Sequence, residues 1–340
     1  MKKVIAYCRI SLLLLLALGV CGCEFRPLEE PNRGVQINVQ VDVNTVVNVT
    51  THIYNEKIPV PDIHPDAMHV AFYEENGDRL ISESFITRKD ILDDGTCIMT
   101  GYADVLPGTY KMLVYTYGTS YTYVYNSSSW SGINARALQA NDFIRNRYQT
   151  SVATKGTVPP IITYTPDHVV VASNEKEEIP YNSESHTIHA VASTVIETYY
   201  MQVKVDGLQY VSTARAFLSG MASGNMLSER KPVDDMNTVL FFDMKKSDDK
   251  GEPVICAVFN TFGRVEGPDS NVSVTFDIVT VDGETQSYTV DITDLFETEE
   301  CKNYHWLLLE DKIKIEKTNG NGGFDLGVNQ WEEEEHKIYM

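Results

Sequence analysis

Val35, Ile37, Val39, Val41 and Val43 alternate with Gln36, Asn38, Gln40 and Asp42. Successive side chains of an extended chain point to opposite faces, so this run predicts a half-buried β-strand. Residues 69–85 hold two β-rich runs around Asn76-Gly77, a pair that tolerates the positive φ of a tight hairpin. Another strand is predicted over 110–117, after the turn Leu106-Pro107-Gly108-Thr109. Residues 118–160 are rich in Tyr, Ser, Asn and Thr, with one short helix-compatible stretch near 135–147. They read as a loop insertion.

Pro159, Pro160, Pro166 and Pro180, with the polar stretch 173–185, suggest a domain boundary near residue 182. Beyond it Ile188, Ala190 and Ala192 alternate, and 199–205 reads as a strand ending at Asp206-Gly207. Further strands are predicted over 239–244, 253–262, 272–281, 285–292 and 306–315, with Asp282-Gly283 as a hairpin turn. Residues 319–340 open on Asn-Gly-Asn-Gly-Gly and read as a flexible tail. Many short strands and few helices predict an all-β chain, one β-sandwich per half, without a sequence repeat.

The start of the chain has its own logic. Lys2, Lys3 and Arg9 precede an apolar run from Ile10 to Val20, too short to cross a hydrocarbon core of about 30 Å as a helix. The run fits a secretory signal peptide over residues 1–22. Val20-Cys21-Gly22-Cys23 resembles the lipobox of bacterial lipoproteins: an aliphatic residue, two small ones, then a cysteine. That resemblance implies cleavage before Cys23, acylation of its thiol and new terminus, and anchoring in membrane lipid. Several acyl chains at about 0.8 kcal/mol per buried CH₂ give a stable anchor without a membrane span. Residues 23–33, with Pro27, Pro31 and three glutamates, read as the tether; their acidity resembles a surface-export signal of Bacteroidetes lipoproteins.

The chain has 340 residues, 28 basic and 48 acidic, a net charge of −20. Residues 1–22 hold three basic and no acidic residues, leaving 25 against 48, a net charge of −23. Such a body repels nucleic acid and anionic headgroups. After Cys23, only Cys97, Cys256 and Cys301 remain, each far from the others in sequence. That is neither a disulfide framework nor metal-ligand spacing, and buried core positions are the expectation.

A search for chemistry yields little. His186 and His189 fall on opposite faces of a strand, a poor chelate, and His64, Asp66 and His69 read as a solvated turn. Asp93-Asp94-Gly95 and 248–251 lack the alternating ligands and distal glutamate of a calcium loop. The chain has no Gly-x-Ser-x-Gly elbow, phosphate-cradling glycine loop or His-Glu-x-x-His. No catalytic residue, cofactor or metal site is expected. Tyr121, Tyr123 and Tyr125 have strand spacing and, with Trp130, have the composition of a carbohydrate- or protein-binding surface. A sheet face packed against the first sandwich is the other reading.

Several stretches together resemble the fimbrillin-like lipoproteins of Bacteroidales, particularly their minor fimbrial anchor subunits. They are Val70-Ala71-Phe72-Tyr73 with Asn76-Gly77, Leu106-Pro107-Gly108-Thr109-Tyr110, the run Ala216 to Ala222, and 306–315 with Gly322-Gly323-Phe324. The resemblance implies two tandem transthyretin-like β-sandwiches, over 34–182 and 183–317, ahead of a tail over 318–340. It also implies display at the outer-membrane surface and partnership with fimbrial subunits or other surface proteins. Fimbrillin-type subunits exchange strands, a form of β-augmentation. Val35, Ile37, Val39, Val41 and Val43 are the candidate exchange segment, or else a permanent first strand. The tail is a poor donor, since Glu332 to Glu335 suits no apolar groove. The alternative function is glycan capture for polysaccharide uptake through the tyrosine-rich segment.

Overall fold

The alternating segment forms β1 (Val35–Asn44), held between two other strands along its length. The structure is a computed structural model that describes residues 35–44, 63–151, 159–181, 186–233, 238–265 and 271–316. The expected signal peptide, Cys23, the tether, the boundary at 182 and the tail beyond 318 lie outside the described residues.

Along the chain come β2 (Ala67–Glu74), β3 (Leu80–Ile86), β4 (Arg88–Ile91), β5 (Cys97–Val105) and β6 (Gly108–Tyr117). The expected insertion holds β7 (Thr122–Tyr125), β8 (Asn134–Ala137), the helix α1 (Asp142–Ser151) and β9 (Ile161–Tyr164). Next are β10 (Val170–Ile179), β11 (His186–Thr194), β12 (Glu197–Asp206), β13 (Val211–Ser219), β14 (Gly224–Met226) and β15 (Lys231–Pro232). The last elements are β16 (Thr238–Asp249), β17 (Glu252–Thr261), β18 (Ser273–Thr280), β19 (Thr285–Asp291), α2 (Glu299–Tyr304) and β20 (Trp306–Lys314).

The chain is all-β in class and has two sheet-rich halves. The first sheet has eight strands in the order β3-β2-β6-β10-β11-β1-β5-β4. It curls almost into a barrel, bringing β3 against the second half of β5. Ser82 and Ser84 of β3 each donate a hydroxyl hydrogen bond of 2.7 Å, to the carbonyls of Asp104 and Tyr102. Gly101 makes the close approach possible: a Cβ there would lie 2.5 Å from Ile86 Cγ2. The second sheet runs β19-β18-β13-β16-β17-β12-β20, with β9 added beside β16. Strand β11 follows residue 182 in sequence yet belongs to the first sheet, and β9 precedes it yet belongs to the second.

Burial explains the unbroken apolar runs. One face of β2 and β6 gives Met68, Val70, Phe72, Met112 and Val114 to the first core, shared with Ile37, Val39 and Val41 of β1. The opposite face gives Ala71, Tyr73, Leu113 and Tyr115 to a separate core with Ala222, Leu227, Phe262 and Val265 of the second half. Strands covered on both faces lose the alternation that half-buried strands keep. In the second half Phe242 stacks on Phe259 at 4.2 Å within the main core, while Phe217 and Phe241 face outward under Ile144 of α1 and Ile162 of β9.

The insertion is therefore structured, and the helix-compatible stretch near 135–147 divides into strand and helix. Residues 134–137 form β8, paired with both β7 and β14. The helix starts only where Asn141 Oδ1 accepts the Ile144 N–H at 3.0 Å, a side-chain N-cap. Strand β10 also departs from expectation, because it carries Asn174 to Glu178 through the stretch read as a polar boundary. It tolerates them by a register shift between Asn174 and Glu177 and by exposing them.

Candidate functional site

The candidate exchange segment occupies a central slot. Strand β1 runs parallel to β11, pairing Ile37 with His186 through Asn44 with Ser193, and antiparallel to β5, pairing Val35 with Val105 through Val43 with Cys97. Ile37, Val39 and Val41 are fully buried among Met99, Ile188 and Val170. Val35 and Val43 continue the same ladders. Alternating side chains set the register, since a one-residue slip would turn these three outward. Without β1, β11 and β5 would each expose an unpaired edge above an open apolar floor.

The tyrosine segment divides. Tyr121, Tyr123 and Tyr125 are all exposed, with Thr122 buried between the first two. The Tyr121 ring lies 5.1 Å from that of Tyr164. Trp130 is not part of this surface: it is 8% exposed and packs its ring 5.5 Å from Tyr73 in the core between the two halves. The indole instead supports the floor of the insertion.

Beside Tyr123 lies a cavity of about 350 Å³, bounded by His69, Glu83, Phe85, Tyr115, Tyr117 and Tyr123 and by the turn from Gly118 to Thr122. His69 forms its base, buried beneath Phe85 with ring centroids 4.7 Å apart. One tautomer satisfies both ring nitrogens: Tyr115 donates its hydroxyl to Nδ1 at 2.5 Å, and Nε2–H donates to Glu83 Oε2 at 3.0 Å. Burial holds the imidazole below its ordinary pKa, outweighing the pull of Glu83 the other way. Burial likewise pushes the Tyr115 phenol up.

Sequence reading placed His69 with His64 and Asp66, and the structure separates them. Asp66 pairs with Lys89 at 2.5 Å, which holds its carboxyl below the usual range, while His69 points into the cavity. The signal that could have linked His69, Glu83 and Tyr115 was the hairpin register. The bulge between Phe72 and Tyr73 displaces it, and His69 falls opposite Phe85 on one side and Tyr115 on the other.

The three thiols of the described residues, Cys97, Cys256 and Cys301, are buried and form no disulfide with one another. Burial pushes the Cys301 thiol up to about 11 and raises that of Cys256, which removes thiolate character. Among the described residues no group of three or more His, Cys, Asp or Glu side chains could hold a metal ion. Nor is any described helix long and apolar enough to cross a membrane. The arrangement offers ladders, an aromatic face and, among other cavities, the one over His69.

Comparison with known proteins agrees with the sequence resemblance. A family described as a domain of unknown function, DUF5119, matches residues 41–243, more than half of the chain. A Bacteroides ovatus protein named as a candidate fimbrium anchoring subunit, Fim4B, is 22% identical, with 96% of this chain and 97% of that protein covered. The crystal structure of a candidate adhesin, also from Bacteroides ovatus, superposes with a TM-score of 0.59 at 20% identity. It covers 88% of this chain and 98% of that one, so the fold is shared throughout.

Proposed function

The chain belongs to the DUF5119 family, and we propose that it is a surface-displayed lipoprotein serving as the membrane anchor or a minor subunit of a fimbria. In this reading the signal peptide is removed, Cys23 carries the acyl chains, and residues 24–33 span from the outer membrane to the folded body. The reading draws on the lipobox and on similarity to a candidate anchoring subunit along nearly the whole length of both proteins.

The observation that carries it is the location of β1. Val35 stands twelve positions after Cys23, so the tether reaches at most about 40 Å. It enters the body through a strand hydrogen-bonded on both sides. Tension from the membrane would load both ladders along their length, so their bonds would have to fail together. A strand on a sheet edge, pulled the same way, would be held by one ladder instead of two. This arrangement supports β1 as a permanent strand that stays with its own chain, rather than the exchanged one. The body would divide into two transthyretin-like sandwiches, one around each eight- or seven-stranded path. We place their junction between β11 and β12, with the insertion bridging both.

A second reading, glycan capture, is supported by the exposure of Tyr121, Tyr123 and Tyr125. Conversion of Tyr121 and Tyr123 to Ala would abolish glycan retention on that reading and leave fimbrial association intact on the first.

The test is recovery of the lipidated protein from its native envelope, comparing wild type with Cys23→Ala. Fimbrial polymer recovered with wild type, and released to the medium with the variant, is the expected result. Recovery of the protein alone, or with glycan-uptake components, would remove the fimbrial role.

A further inference from the structure

We propose that the cavity over His69 binds the ammonium group of a lysine side chain presented by a partner protein. Three features lead there, and none depends on the fimbrial reading.

The walls are aromatic and the rim is open. Phe85, Tyr117 and Tyr123 are each about half exposed, and Phe85 and Tyr117 lie with centroids 4.7 Å apart. These faces converge on a space of about 350 Å³. Aromatic faces attract a cation through their quadrupole when it lies within about 6 Å of the ring centroid.

A carboxylate stands in the same wall. Glu83 is half exposed, and its hydrogen-bond partner is the neutral His69 imidazole. Oε2 accepts from His69, while Oε1 has no partner among the described residues. Because burial disfavours the imidazolium, His69 orients this carboxylate without neutralising it. Arg136, across the ladder from Tyr123, donates to Asn134 Oδ1 at 3.0 Å and does not line the cavity.

The charge of the wall favours a cation over a neutral sugar. Here the Tyr115 hydroxyl is donated to His69, the Thr119 hydroxyl to the Thr122 carbonyl, and Thr122 Oγ1 accepts the Asp167 N–H at 2.8 Å. The Tyr117 and Tyr123 hydroxyls also line the cavity, and Glu83 is the one carboxylate among its lining residues. An ammonium group supplies donors and no acceptor, and its charge complements a chain of net charge −20, which would also steer a basic partner surface toward the site.

The experiment uses the purified full chain and Nα-acetyl-lysine N-methylamide, with binding followed by saturation-transfer NMR and titration. The probe should bind saturably, and its Nζ-acetylated form about tenfold more weakly or not at all. Glu83→Gln and Tyr117→Leu should each weaken binding by about tenfold. Tyr125→Leu, on the same segment but outside the cavity, should leave it unchanged. Each variant is checked for an unaltered melting temperature, and Tyr117→Leu carries the test if Glu83→Gln is destabilised. Equal binding of the acetylated probe, or full binding by both cavity variants, would overturn the proposal. So would saturable binding of a neutral methyl glycoside in place of the lysine probe.

Discussion

Gln40 of β1 lies opposite His189 of β11 in a parallel ladder that joins the first described strand to one almost 150 residues later. A parallel pair needs a crossover connection, and here the crossover carries β2 to β10. Strand β1 is thus both the element nearest the expected lipid and among the most non-local in its pairing. Its stability depends on the completed sheet.

Truncating β1 on its buried face should therefore weaken the whole first half. Ile37 is fully buried in the first core. Ile37→Ala is expected to cost about 2–5 kcal/mol, read as a lowered urea midpoint. A change within a few tenths of a kcal/mol would mean that the strand is only loosely held.

The insertion is fastened to the second sheet by charge as well as by packing. Arg147 of α1 donates Nε–H to Asp277 Oδ2 at 2.8 Å, and Asp277 is fully buried on β18. Arg147→Met should destabilise by about 2–4 kcal/mol, because a buried carboxylate loses its charged partner; the partial exposure of Arg147 keeps the figure below that of a fully buried pair. The variant should show a lower urea midpoint and faster proteolysis within residues 138–151.

Two histidines set the response to acid. Burial lowers the pKa of both His69 and His305 from the ordinary value of 6.5, against the opposing pull of Glu83 and Glu197. Below about 6.5 the unfolded chain binds protons that the folded chain refuses. Stability is therefore complete above that pH and declines as pH falls through it. Denaturation midpoints measured between pH 7.5 and 5.5 should fall with acidity, and His69→Gln should flatten the slope. A slope that steepens in the variant would contradict the assignment.

Much of this architecture was legible in the pattern of apolar positions. Alternation identified β1, and Asn76-Gly77 and Asp282-Gly283 located their hairpins, although only Gly283 has the positive φ of a tight turn and Gly77 does not. What escaped was non-local. Strand β10 reads as polar because its glutamates are solvated while its ladder is completed by β6, a partner that no local window contains. The aromatic insertion reads as a loop because its short strands are fixed by distant neighbours. Gly224 of β14, for example, crosses so closely over Ala135 of β8 that a Cβ would collide with its carbonyl. The cavity over His69 escaped for the same reason: its residues come from four strands and a turn.

The central claim is that β1 remains in its own chain while the lipid holds the protein and its fimbria at the membrane. The direct measurement is to lock β1 in place with Gln40→Cys and His189→Cys, register partners on the outer face of the first sheet, in the lipidated protein in cells. Fimbriae should still be retained at the envelope when the disulfide forms, and should be released when Cys23→Ala is added. Loss of fimbriae on oxidation, restored by reduction, would show that β1 must leave its slot for assembly and would contradict the account.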